Sequence, residues 1–275
     1  MNKIKKNKVI IIGAGFGGCI AAKKLANAGF DVTIFDKRNH HIFQPLLYQV
    51  ATAMLSPAQI AYPIRSMFKN YKNVRVILAN ISEIDKEKKT VKPKRSNQTF
   101  SYDYLIVASG ARHSYFGHPE WEKYAWGLKT TRDALKIRER MLYSFEKAER
   151  TRFEDKQARF STFVIVGAGP TGVEMAGAIA ELTRKTLRND FSNFDPKSAR
   201  IILVEGSGRV LNRYHEPMSE QAKKDLEAMG VEVMLNAMVS NITKEGVTIG
   251  DTLIESENII WAAGNTASPL IKLTT

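Results

Sequence analysis

GAGFGG at residues 13–18 and GAGPTG at residues 167–172 decide the fold, because both follow the pattern Gly-x-Gly-x-x-Gly. Each comes directly after an apolar, β-branched run, at residues 9–12 and 163–166. Such runs are typical of strands buried on both faces of a parallel sheet. In this pattern the first glycine makes a tight turn, the second admits a pyrophosphate to backbone N–H groups, and the third lets a helix pack on the strand. Two copies therefore predict two dinucleotide-binding units.

Each motif is followed by a second apolar strand that ends in an acidic residue. Asp36 ends residues 31–36, and Glu205 ends residues 201–205 after a longer helix and a polar loop. A carboxylate at this strand end can accept hydrogen bonds from ribose hydroxyls. Two such units without any ligand are the alternative, and the repetition of strand, turn, helix and acid in the same order favours binding.

Composition narrows the class of protein. A chain of 275 residues can bury two cores, and helices alternating with apolar strands indicate an α/β class. The single cysteine, Cys19, excludes a disulfide framework and a redox-active dithiol, and we expect it to pack within a helix. His40 and His41 are adjacent and are expected to bond within their loop, so no metal site is predicted. No apolar run approaches the roughly 18 residues of a spanning helix.

The formal net charge of +13 is compatible with nucleic acid or an anionic membrane surface as a partner. The basic residues are scattered, and no recognition helix or stacking platform is evident, so we predict that the chain does not bind nucleic acid. Weak attraction to acidic lipid headgroups remains the better interpretation.

Three further stretches carry a resemblance to a known family. They are FQPLLYQVATA at residues 43–53, GPTGVE at residues 169–174 and WAAG at residues 261–264. With both glycine motifs and both acids, they make the chain similar to the type II NADH:quinone oxidoreductases, single-subunit NADH dehydrogenases of the two-dinucleotide-binding flavoprotein superfamily. Without that resemblance, residues 43–52 would also fit an ordinary core loop.

The resemblance implies two Rossmann-like domains, the second nested in the first along the chain, with a β-rich excursion from residue 74 to residue 100. FAD would bind the first domain and NADH the second. The expected divisions are residues 1–112 for the first part of the FAD domain, 113–159 for a connecting helix and linker, 160–264 for the NADH domain, and 265–275 for the start of the return to the FAD domain.

The resemblance also assigns site residues. Those expected at FAD are Gly13, Gly15, Phe16, Gly17, Gly18, Asp36, Lys37, Gln44, Pro45, Leu46, Ala51, Thr52, Ala108, Ser109 and Gly110. Those expected at NADH are Gly167, Gly169, Pro170, Thr171, Gly172, Glu205, Ala262, Ala263 and Gly264.

Two carboxylates have more specific expectations. The negative charge of Glu205 would accept from a ribose 2′-hydroxyl and repel a 2′-phosphate, which favours NADH over NADPH, while the nearby Arg209 would soften that preference. Glu174 follows the second motif by two residues and is expected in the first turn of the helix. It is either a favourable charge at the helix dipole or, by resemblance, the catalytic group beside nicotinamide and flavin that orients the cofactor or passes a proton.

The implied function is FAD-dependent oxidation of NADH in the respiratory chain, without proton pumping and with quinone as acceptor. Family members continue to a Gly-Asp flavin motif, quinone-site residues and membrane-docking helices, whereas this chain stops at Thr275. We therefore expect weak FAD retention, impaired quinone reduction and exposed apolar surface that favours a homodimer. The expected location is the cytoplasm, or, for the full-length form, the cytoplasmic face of the inner membrane. A catalytically impaired nucleotide-binding scaffold and another FAD/NAD(P)H oxidoreductase remain alternatives.

Overall fold

A computed structural model describes residues 7–273, and the chain forms two compact units within it. The first unit comprises the chain up to Phe43, Ala58–Arg112, and the chain from Thr266. The second comprises Gln44–Pro57 and His113–Asn265. The chain therefore enters the second unit twice.

The first unit is built on a parallel sheet of four strands. Their order across the sheet is Val74–Leu78, Asp31–Asp36, Lys8–Ile12 and Tyr104–Val107. The helix Phe16–Asn27 joins the two central strands. Residues 9–12 are buried, with neighbours packed on both faces of the sheet, as their uninterrupted apolar sequence predicts.

The β-rich excursion is shorter than its sequence pattern indicates. Its antiparallel sheet contains Ile81–Asp85, Thr90–Pro93 and Phe100–Ser101. Val74–Leu78, which we assigned to the excursion, instead pairs with Asp31–Asp36 in the parallel sheet. The reason is that its apolar side chains pack into core clusters on both faces of that sheet.

The remaining elements of the first unit are short. Strands His40–Ile42 and Ala61–Pro63 form an antiparallel pair, which we call the His40 strand pair. Helix Ile64–Met67 follows it, and a 3-10 turn covers Pro269–Leu273. The elements at the passages between the units are helix Pro57–Ile60 and strands Ala111–His113 and Asn265–Ala267.

The second unit repeats the parallel architecture with five strands. Their order is Ala125–Gly127, Asn258–Trp261, Thr162–Val166, Arg200–Val204 and Val231–Met234. The helix Pro170–Glu181 follows the central strand and continues as a π-helical segment, Leu182–Thr186. The other elements of this unit are helices Leu47–Ala51, Glu154–Ser161 and Glu216–Ala228, 3-10 turns Gln44–Leu46, Pro119–Lys123 and Pro196–Ser198, and an antiparallel sheet of Val239–Ile242, Gly246–Ile249 and Thr252–Glu255.

The longest helix, Thr131–Arg150, covers this second sheet. It begins with a capping box, in which Thr130 and Asp133 each accept from the other's backbone N–H. Met141 and Phe145 are buried on this helix, whereas Leu135 is exposed. For residues 7–273, no helix combines the length and apolar character needed to cross a bilayer.

Candidate functional site

The first glycine loop, Gly13–Gly18, leaves the central strand of the first unit. Gly13 has a φ of +107°, and its N–H donates to the carbonyl of Phe35 at 2.7 Å. A Cβ on Gly13 would collide with the Ala108 carbonyl, and one on Gly18 would collide with the Gly13 carbonyl. Packing therefore requires glycine at both ends of the loop.

The middle of the first glycine loop differs from its ends. A Cβ built on Gly15 or Gly17 would meet no atom within 4 Å. Gly15 also precedes the first residue of the helix Phe16–Asn27, and no side chain caps that helix. Free backbone N–H groups at a helix N-terminus, next to open space, are the arrangement that binds a pyrophosphate.

Asp36 fixes this loop from the neighbouring strand. Its Oδ2 accepts from the backbone N–H of Ala14 at 2.7 Å, and its Oδ1 accepts from that of Arg38 at 2.8 Å. A carboxylate oxygen has two lone pairs, so each oxygen retains one for a ribose hydroxyl. Asp36 can therefore hold the loop and accept a hydrogen bond from a ligand hydroxyl at the same time.

The second glycine loop, Gly167–Gly172, repeats this geometry. Gly167 has a φ of +100°, its N–H donates to the Val204 carbonyl at 2.7 Å, and a Cβ on it would collide with Ala263. A Cβ on Gly172 would collide with the Gly167 carbonyl, whereas one on Gly169 would meet no atom within 4 Å.

Glu205 takes the place of Asp36 in the second unit. Its Oε2 accepts from the N–H of Ala168 at 2.7 Å, and its Oε1 accepts from the N–H of Ser207 at 2.8 Å. The Arg209 guanidinium donates to the Asn212 carbonyl at 2.9 Å, and no ion pair joins it to Glu205 among the described residues. The second acid is therefore held as the first is.

The closing strands bring further predicted residues to the loops. Ala108 donates from its N–H to the Ile12 carbonyl at 2.8 Å, and Ala262 donates to Val166 at 2.7 Å. Ser109 follows Ala108, and its Oγ has neither solvent access nor a partner within the described chain. Gly110 has a φ of +69°, which suits glycine. An unpaired buried hydroxyl beside the first glycine loop fits a site built for a polar ligand.

The segment from Gln44 to Thr52 lies in the second unit. Its helix, Leu47–Ala51, packs against Thr131–Arg150 and Pro170–Glu181. Ala51 and Thr52 are fully buried, and the Thr52 hydroxyl donates to the Tyr48 carbonyl at 2.9 Å. Gln44 and Pro45 are exposed, and Leu46 is half-buried. The five residues that the resemblance assigns to FAD in this segment therefore belong to the same unit as the second glycine loop.

Glu174 lies beyond the first turn of its helix, which corrects the position inferred from the sequence. It is the fifth residue of Pro170–Glu181, and that helix has no acidic residue in its first turn. The side chain is half-buried, and burial raises the pKa of its carboxyl group above the ordinary value. Because the dipole effect fades within the first turn, the helix dipole does not explain this residue.

Arg38 is a residue that sequence reasoning missed. Lys37, which we predicted, is exposed, whereas the Nε and Nη1 atoms of Arg38 have neither solvent access nor a partner within residues 7–273. Buried N–H donors without a partner are costly. A second basic residue just after the acidic strand end was the available signal.

The WAAG stretch supports the second site through packing. The indole N–H of Trp261 donates to the Ser114 carbonyl at 2.8 Å, and the Ser114 N–H donates to the Gly264 carbonyl at 3.1 Å. A Cβ on Gly264 would lie 2.7 Å from the Phe116 ring. Gly264 therefore permits this close approach.

Cys19 packs inside the helix Phe16–Asn27, as expected. It is 4% exposed, and burial raises the pKa of its thiol to about 11. In the part of the chain that the structure describes, no group of three or more histidine, cysteine, aspartate or glutamate side chains could hold a metal ion.

Comparison with known proteins agrees with this duplicated geometry. Residues 7–274 match the profile of the pyridine nucleotide-disulphide oxidoreductases. The chain belongs to this family. It has a single cysteine within its 275 residues, so this member has no cysteine pair in the given sequence.

Individual relatives of this family member narrow the resemblance. It is 43% identical over 273 residues to one type II NADH:quinone oxidoreductase of Mycobacterium tuberculosis, covering 97% of the chain and 59% of the relative. It is 46% identical over 275 residues to a second, covering 98% of the chain and 58% of the relative. The chain thus spans less than two thirds of the length of these curated relatives.

A solved structure of NDH2 from Plasmodium falciparum in complex with NADH superposes with a TM-score of 0.88 at 27% identity. The match covers 98% of this chain and 57% of that one. A sulfide:quinone oxidoreductase from Aquifex aeolicus, at 16% identity and a TM-score of 0.79, shares the fold.

Proposed function

We propose that this family member is an NADH dehydrogenase that oxidises NADH through FAD and passes the electrons to a quinone. The observation that carries the proposal is the pair of glycine loops, each fixed by an acid from the neighbouring strand. One chain with two such loops has separate places for a flavin dinucleotide and a nicotinamide dinucleotide. The names of the Mycobacterium tuberculosis relatives support the reaction and its acceptor.

We assign FAD to the first unit. In the division made from the sequence, residues 1–112 are the first part of this FAD domain. The N–H groups around Gly15 and Gly17 would bind its pyrophosphate, since no side chain fills the adjoining space. Asp36 would accept from the ribose hydroxyls with its remaining lone pairs. Arg38 and Ser109 offer buried donors that otherwise lack partners, so the residues present fit an adenosine-bearing, polar group.

NADH is assigned to the second unit, in residues 160–264. Pro170 has no N–H, so the donors for the pyrophosphate at this helix start are those of Thr171 and Gly172. Glu205 would accept from the adenosine ribose 2′-hydroxyl, and its charge would repel the 2′-phosphate of NADPH.

Bound flavin would supply a two-electron acceptor for the hydride of the nicotinamide ring. The side chains would contribute placement and proton handling. We assign this proton-transfer role to Glu174. Its burial favours the protonated carboxyl group, and among the described residues no hydrogen bond or ion pair holds the side chain.

The proposal extends to the membrane. A net charge of +13 supports attraction to anionic lipid headgroups, and hence a peripheral protein on the cytoplasmic face of the inner membrane. A homodimer stays a prediction.

The test is to reconstitute the purified chain with FAD and record its visible spectrum. We expect a bound flavin spectrum once FAD is in excess, bleaching by NADH without oxygen, and slow recovery of the colour when a short-chain quinone is added. A chain that binds both nucleotides without bleaching would be a scaffold. A chain that binds no FAD would overturn the proposal at its first step.

A further inference from the structure

Two side chains hold the carbonyl oxygen of Ala14, the second residue of the first glycine loop. His41 approaches it with Nδ1 at 2.9 Å, and Cys19 approaches it with Sγ at 3.2 Å. A carbonyl oxygen only accepts, so the His41 Nδ1 carries the proton of this hydrogen bond. Ala14 is 2% exposed, and Asp36 binds its N–H. The N–H and the carbonyl of Ala14 are therefore both held by side chains.

The second glycine loop satisfies the equivalent carbonyl in another way. The Ala168 oxygen accepts from the backbone N–H of Leu211 at 2.8 Å. Both loops thus restrain the N–H and the carbonyl of their second residue. Only the first loop uses side chains for the second restraint, with the His41 imidazole at the shorter distance, so a substitution at His41 can weaken it.

His41 also contacts the residue that begins the loop's helix. Its ring meets Phe16 edge to face at a centroid distance of 5.1 Å, and Phe16 meets Phe43 at 5.6 Å. His41 is held in the His40 strand pair, where it lies opposite Tyr62. One rigid side chain therefore fixes the peptide before Gly15 and the side chain after it.

We propose that His41 is a positioning residue for FAD. By fixing the Ala14 carbonyl, and with it the peptide group that carries the Gly15 N–H, it orients the N–H groups around Gly15 before the pyrophosphate arrives, so that less ordering is needed on binding. This inference rests on the proposed function, in that FAD is the ligand of the first glycine loop.

Three variants separate the hydrogen bond from the packing. His41→Phe keeps an aromatic ring against Phe16 and removes the donor. His41→Asn places an amide N–H where the imidazole Nδ1 lies. His40→Phe is the matched control, since His40 is the neighbouring histidine and its Nδ1 lies 2.9 Å from the side chain of Asn39.

The dissociation constant for FAD is measured by the quenching of flavin fluorescence. We expect His41→Phe to raise it about tenfold, as loss of one buried hydrogen bond implies. His41→Asn should recover most of the wild-type affinity, and His40→Phe should match wild type. The dissociation constant for NADH, measured on the same samples, should stay unchanged.

Amide hydrogen exchange of the FAD-free protein gives a readout independent of the flavin. Residues 14–18 should exchange faster in His41→Phe alone, with the rest of the unit unchanged. Wild-type FAD affinity and exchange in His41→Phe would overturn the inference. So would equal loss of affinity in His40→Phe, or faster exchange throughout the unit. A wild-type chain that binds no FAD overturns the proposed function, and the exchange data still decide whether His41 holds the loop.

Discussion

Glu205 accepts a hydrogen bond from the backbone N–H of Ala168 at 2.7 Å. This contact joins the end of one strand to the turn that leaves the neighbouring strand. The acid that we assign to coenzyme recognition is therefore also a structural support of its loop. A substitution at Glu205 must be designed to separate those two roles.

The first prediction concerns coenzyme preference. Wild type should bind NADH more tightly than NADPH, and Glu205→Gln should narrow the ratio of the two dissociation constants about tenfold. The amide removes the charge that repels a 2′-phosphate and keeps one oxygen to accept from a backbone N–H. Isothermal titration with both coenzymes measures the ratio.

The control for that measurement is Asp36→Asn, the same change in the first unit. It should weaken the binding of FAD and leave the ratio of the NADH and NADPH dissociation constants as in wild type. Equal wild-type affinities for the two coenzymes, or no relative gain for NADPH in Glu205→Gln, would remove Glu205 from the recognition site.

The second prediction separates the glycines of the first loop. Gly15→Val should abolish FAD binding, because the added side chain enters the space assigned to the pyrophosphate. Its effect on the unfolding free energy of the FAD-free protein should stay within about 1 kcal/mol, since a Cβ there meets no atom within 4 Å. Gly18→Ala should destabilise the fold, because its Cβ collides with the Gly13 carbonyl.

Chemical denaturation and flavin binding, measured on both variants, test this division. Gly169→Val is the equivalent change in the second unit and should abolish NADH binding. Retention of stoichiometric FAD by Gly15→Val, or its loss in Gly169→Val, would show that the sites are reversed.

The third prediction uses the raised pKa of Glu174. The folded protein binds this proton more tightly than the unfolded chain does, so the unfolding free energy should fall as pH rises from the ordinary glutamate pKa through the raised one. Above that window Glu174→Gln should raise the Tm by about 2 °C, and below it the gain should vanish.

Thermal melts between pH 4 and pH 8 would show this crossover. Glu181→Gln, in the same helix, is the control, because Glu181 is half-buried too but is paired with Lys185 at 2.9 Å. The Glu181→Gln variant should not raise the Tm at any pH. A pH-independent difference between Glu174→Gln and wild type would mean that the carboxyl is not perturbed.

The fourth prediction concerns Cys19. At pH 8, iodoacetamide should modify it about a hundredfold more slowly in the folded protein than in urea, because few thiols ionise at a pKa of about 11 and the side chain is buried. Mass spectrometry of timed samples measures both rates. Similar rates would show that the helix opens readily at this position.

The glycine loops could be predicted from the sequence because their requirements are local. The turn, the helix start and the acidic strand end lie within residues 13–36 and again within residues 167–205. Most of these positions carry a short-range constraint, such as the φ of +107° at Gly13. These constraints select residue types that can be recognised without knowing the rest of the fold.

Long-range packing explains what the sequence did not reveal. The burial of Ala51 and Thr52 depends on helices that lie far along the chain, and no local pattern identifies that partner. Val74–Leu78 is an apolar run that fits an excursion or a sheet, and the choice is made by side chains on both faces. Lys37 and Arg38 are neighbouring basic residues. Only the folded strand end distinguishes the exposed Lys37 from Arg38, whose Nε and Nη1 atoms are buried.

The entry of Gln44–Pro57 into the second unit has a consequence for synthesis on the ribosome. All four strands of the first parallel sheet end by Val107, before the helix Thr131–Arg150 has been made. Leu47, Val50 and Ala51, which are buried in the folded protein, therefore lack their cover until the nascent chain passes residue 150. At about 5–20 residues per second, this apolar segment stays open to chaperones for several seconds in every copy translated.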